Sequence, residues 1–91
     1  MSQPGDPVAK MVYMGELYDL YGSLLTDRQR EVFEMHYMQD LSLAEIANTL
    51  GITRQACYDL LLRSQKSLEH YEAKMGLWAA GRGSRARGNH V

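Results

Sequence analysis

Residues 43–62 read LAEIANTLGITRQACYDLLL. Leu43, Ile46, Ala47 and Leu50 are spaced as one face of a short helix, and Cys57, Leu60 and Leu61 as one face of a second. Gly51 stands between the two runs, and Thr53 follows it as a candidate N-cap. A helix that ends on a left-handed residue favours glycine there, because a Cβ would clash. The stretch therefore predicts helix, tight turn, helix, the pattern of a helix-turn-helix. Ala47 agrees with this, since two helices crossing closely need a small side chain at the crossing. An ordinary helical hairpin inside an all-α core would show a similar pattern.

Working outward, the chain predicts two helices before this pair. The first spans about 8–24. Tyr13, Leu17, Leu20, Tyr21 and Leu24 form one apolar face, and Met11, Met14, Tyr18 and Leu25 widen it beyond a single stripe. A helix apolar over so much of its girth needs burial on two sides. Either it lies deep in the core or it also forms a subunit contact; in so short a chain the second is preferred, which predicts a homodimer in which Met11, Met14 and Tyr18 make the contact. The second helix starts at Thr26, where Thr26 and Gln29 have the form of a capping box, and buries Val32, Phe33 and Tyr37. Asp40 and Leu41 make a turn, and Ser42 with Glu45 forms a second capping box. The helix after Thr53 keeps one face through Ser64, Leu68, Tyr71 and Met75, far longer than the motif requires. The expectation is an all-α, four-helix domain over 8–75 with long first and last helices. Residues 1–7, with Pro4, Gly5 and Pro7, are expected to be disordered. Gly76 reads as a stop, and 76–91 as a flexible Gly/Arg-rich tail.

The chain has 91 residues, which suits one small domain. No apolar run approaches the length of a membrane span, and residues 1–8 do not resemble a signal peptide. A lone Cys57 on the apolar helix face reads as a small buried hydrophobe and suits a reducing cytoplasm. Net charge is −1, but it is unevenly placed: −5 over 1–52, +1 over 53–75 and +3 over 76–91. A polyanion is therefore expected at the second motif helix or the tail.

Chemistry is sparse. No phosphate-cradling loop, zinc spacing or nucleophile signature is present. Glu31 and Glu34 lie one turn apart, but exposed acidic pairs are mostly just solvated. No enzyme, cofactor or metal is expected. The binding case rests on the outer face of the second motif helix. Arg54 can pair with guanine and Gln55 with adenine, and Tyr58 lies beside them. Thr53 can hold a phosphate at the helix N-terminus, and Arg63 and Lys66 can reach phosphates further along. Asp59, which repels phosphate, and Leu62, which offers no hydrogen bond, weigh toward a merely solvated face.

Residues 25–68 resemble region 4 of bacterial sigma factors, the helix-turn-helix module that reads promoter DNA. The closer resemblance is to the YlxM-like family of small bacterial helix-turn-helix proteins. It is carried by Tyr18-Asp19-Leu20-Tyr21, Leu24-Leu25-Thr26, Ser42-Leu43-Ala44-Glu45-Ile46-Ala47 and Thr53-Arg54-Gln55-Ala56-Cys57-Tyr58-Asp59. The resemblance implies a sigma-region-4-like fold and dimers. It also implies an accessory or regulatory role beside the signal recognition particle, because members are usually encoded next to its GTPase subunit. Three readings follow: a nucleic-acid-binding regulator in that pathway, a protein-interaction factor for its GTPase or RNA, and a sigma-like transcription regulator. The chain departs from the family pattern after Met75, where relatives usually continue with a charged helical tail.

Overall fold

The computed structural model describes residues 7–86. Five α-helices follow one another: α1 Pro7–Tyr21, α2 Asp27–Tyr37, α3 Leu43–Leu50, α4 Arg54–Met75 and α5 Leu77–Ala86, with a 3-10 turn at Gly22–Leu24 between α1 and α2. Among the described residues there is no strand.

Local signals set the boundaries. Pro7 opens α1, where its missing N–H costs nothing. Thr26 and Ser42 each close a full capping box, with Gln29 and Glu45 answering their backbone N–H groups at 3.1 and 2.8 Å. Thr53 accepts from the Ala56 N–H at 3.0 Å and caps α4. Gly51 lies at φ +70, as the turn of the motif requires, and the Ile52 N–H reaches back to the Ala47 carbonyl. Asp40 also takes a left-handed conformation, at φ 59, in the turn that ends α2.

The long helix α4 is the common wall on which α1, α2 and α3 pack. Its buried face carries Cys57, Leu61, Ser64 and Leu68. Against it lie Met14, Leu17 and Tyr21 of α1, Val32 and Phe33 of α2, and Ile46 and Ala47 of α3. Among the described residues Ser64 is the buried polar one, and its hydroxyl donates to the Leu61 carbonyl at 2.7 Å. Tyr18, Phe33 and Tyr37 stack in series, with ring centroids 4.7 and 4.4 Å apart.

Four expectations change. Met14, expected at a dimer contact, is 0% exposed inside the chain's own core. Tyr18 is half-buried on Phe33, and its hydroxyl donates to Glu34; of the three expected contact residues only Met11 is exposed. Leu20 and Leu24, expected to face inward, lie outside, because the true face runs through Met14, Leu17 and Tyr21. The fourth concerns the tail. Residues 77–86 form α5 instead of a flexible end, so α4 is not the last helix. The disorder expected for residues 1–7 falls outside the described residues except at Pro7, which is helical; residues 87–91 of the expected tail are outside too.

Candidate nucleic-acid interface

Two helices and one turn position this site. The capped start of α3 places Leu43 at the base of the motif, and Gly51 turns the chain so that α4 begins beside it. The helical repeat then sorts α4 by face. Cys57, Leu61 and Ser64 point inward, while Arg54, Gln55, Tyr58, Asp59, Arg63 and Lys66 are exposed over the half of the helix turned away from the core, with Arg54 and Arg63 at its opposite edges. All six expected contact residues, Thr53, Arg54, Gln55, Tyr58, Arg63 and Lys66, are exposed and lie at or along this face.

The face has internal order. The Gln55 side-chain amide donates to Asp59 Oδ1 at 3.0 Å, one helical turn away. Asp59 therefore does more than repel anions, since it fixes the Gln55 amide. The Thr53 hydroxyl already accepts the Ala56 N–H, which leaves its own proton for an outside acceptor. Leu43, Arg54, Gln55 and Tyr58 line a surface cavity of about 240 Å³. Leu43 was read from sequence only as an apolar face residue, and nothing in the helical period of α4 points to it. Cys57 sits fully buried beneath the face, and burial pushes its thiol above the ordinary value, which keeps it unreactive.

Glu34 accepts from Tyr18, and Glu31 pairs with exposed Arg28 at 3.3 Å. Among the described residues no group of three or more His, Cys, Asp or Glu could hold a metal. No helix among them is long and apolar enough to cross a membrane.

A second polar junction, which sequence reading missed, lies where α1, α4 and α5 meet. Glu72 accepts from the Tyr21 hydroxyl at 2.7 Å and from the backbone N–H groups of Trp78 and Ala79 at 3.0 and 3.1 Å. The Tyr21 hydroxyl in turn accepts the Leu77 N–H, and the Trp78 indole donates to Glu16 at 2.7 Å. Burial raises the Glu72 carboxyl, but these donors more than offset it and hold the group below its ordinary value of 4.5.

Comparison with known proteins agrees with this architecture. The family model described as "Putative helix-turn-helix protein, YlxM / p13 like" matches residues 8–85. A UPF0122 protein of Caldanaerobacter subterraneus subsp. tengcongensis is 58% identical over 66 residues, covering 72% of this chain and 56% of that protein. One from Symbiobacterium thermophilum is 48% identical over 63 residues, covering 69% and 59%. One from Streptococcus gordonii is 43% identical over 72 residues, covering 79% and 66%. The matched region thus spans only a little over half the length of the first two relatives. With the family model covering most of its length, the chain belongs to the UPF0122 family of YlxM / p13-like helix-turn-helix proteins.

Proposed function

We propose that this protein is a helix-turn-helix regulator that binds nucleic acid through Thr53, Arg54, Gln55, Tyr58, Arg63 and Lys66. The observation that carries the reading is the joint exposure of these residues on the half of α4 turned away from the core, starting at its capped N-terminus. Helix-turn-helix modules present this part of their second helix to base edges, while cations further along anchor phosphates. Its setting, on the resemblance to the YlxM-like family, is the signal recognition particle pathway in the cytoplasm. A protein-interaction role in that pathway is the second reading. It is favoured by Val8 and, one turn on, Met11 and Val12, which lie exposed at the start of α1 and also suit a homodimer contact.

The test is an anisotropy titration with random duplex DNA, DNA upstream of the coding region and signal recognition particle RNA side by side. Preference for one target over random duplex, reduced about 5- to 100-fold by Arg54→Ala, is the expected result. Absence of binding to all three at low salt overturns the nucleic-acid reading and leaves the protein contact.

A further inference from the structure

We infer that the cavity between α3 and α4 takes a single unstacked nucleobase, so that the preferred ligand is single-stranded nucleic acid and not a duplex groove. This inference rests on the nucleic-acid reading above and names the substrate class of the same site. Three observations support it.

The first is the lining. Tyr58, 47% exposed, offers a flat aromatic face; Leu43 offers an apolar wall; Arg54 and Gln55 supply polar groups at the rim of the same cavity of about 240 Å³. An aromatic ring, an aliphatic contact and a planar amide or guanidinium are what an unpaired base uses, stacking on one and bonding its edge to the other. A base held in a duplex cannot enter such a recess, because it is stacked above and below.

The second is the state of Gln55. Its Nε2 is held by Asp59, so one amide N–H and the Oε1 remain in a fixed orientation. That leaves one donor beside one acceptor, which matches any base edge presenting an acceptor beside a donor. Asp59 is then a positioning residue.

The third is charge. Along the exposed part of α4 the cations are Arg54, Arg63, Lys66 and, in its last turn, Lys74, with the acids Asp59 and Glu69 among them, and residues 1–52 carry −5. A duplex brings two phosphate backbones toward this surface, whereas a single strand brings one and lets stacking replace part of the ionic attraction.

The experiment compares a labelled single strand with its duplex of equal length, as RNA and as DNA, against the full chain. Wild type, Arg54→Ala, Tyr58→Ala, Tyr58→Phe and Asp59→Asn are titrated, with circular dichroism confirming helix content. Tyr58 is exposed, so its loss leaves the core intact. The expected result is single-strand binding tighter than duplex by about 10-fold. Tyr58→Ala should lose about 10-fold or more on the single strand, and Tyr58→Phe should retain it. Asp59→Asn keeps the carbonyl acceptor for Gln55 and should preserve the affinity for the single strand. RNA and DNA binding equally assigns recognition to the base; RNA alone adds a contact to the 2′-hydroxyl. Tighter duplex binding, lost in Arg54→Ala but untouched by Tyr58→Ala, overturns this inference and leaves the nucleic-acid reading standing. No binding to either form overturns both.

Discussion

At Gly22 the backbone lies directly beneath the Tyr18 ring: a Cβ placed there would sit 2.8 Å from ring carbon Cε1. The ring has little freedom to yield. It stacks on Phe33 at 4.7 Å, and its hydroxyl donates to Glu34. Burial, followed by this bond, pushes the Tyr18 pKa up to about 12, so the phenol keeps its proton and stays a donor across the working pH range. Gly22→Ala should therefore destabilise the fold by about 1–3 kcal/mol, the usual cost of overpacking. Thermal unfolding followed by circular dichroism measures this. In a Tyr18→Leu background the penalty should shrink, since contacting residues couple; an unchanged penalty would place the strain elsewhere. Nothing in the sequence pattern announces this contact. Gly22 is not at positive φ, and its constraint comes from a ring four residues back that is fixed by α2. Gly51 was legible for the opposite reason: its need is in its own backbone and announces itself between two apolar runs.

Among the elements, α3 and the start of α4 were the most readable, because caps, turn and periodicity all act within a few residues. The first helix was readable as a helix but not in phase. With apolar side chains around most of its girth, period alone could not choose Met14, Leu17 and Tyr21 over Leu20 and Leu24. The last helix was not readable at all. Its Gly/Arg-rich sequence has weak propensity, and what holds it is remote: Tyr13 and Glu16 meet Trp78, and Tyr21 meets the Leu77 N–H 56 residues away. Glu72 caps the first turn of α5, where a carboxylate also suits the helix dipole. Because its folded pKa lies below the ordinary 4.5, this junction adds stability above that value and loses it as pH falls through the depressed one. Trp78, the single tryptophan, reports on it. Its emission should shift to the red as pH falls below the ordinary carboxylate value of 4.5 and α5 undocks, while the circular dichroism of the rest changes little. Glu72→Gln should remove the pH dependence of that step, and a shift that persists in the variant would point to another group.

On the scale of the molecule, length and charge separate the two ends. The described Cα atoms have a radius of gyration of 14.8 Å, against about 12 Å for a compact chain of this size. The elongation follows α4, whose 22 residues span about 33 Å. Its N-terminal end bears the candidate interface and its C-terminal end the junction with α5, so Glu72→Gln should leave nucleic-acid affinity unaltered. The remaining question is how many cations a bound strand meets. Arg54, Arg63 and Lys66 lie along the exposed side of α4, while the acidic first half turns phosphates away from the rest. Three such contacts predict a slope of log affinity against log salt of about −2 for a single strand and about −3 for a duplex. Between 50 and 200 mM salt, affinity should then fall about 20-fold for the single strand and about 40-fold for the duplex. Lys66→Ala should flatten the slope by about 1 without altering the order of preference among sequences. A slope near −4 on the single strand would mean about six cations in contact, twice the number that these three supply. A slope near zero would mean that no phosphate is held by α4, and the exposed cations there would be solvated and nothing more.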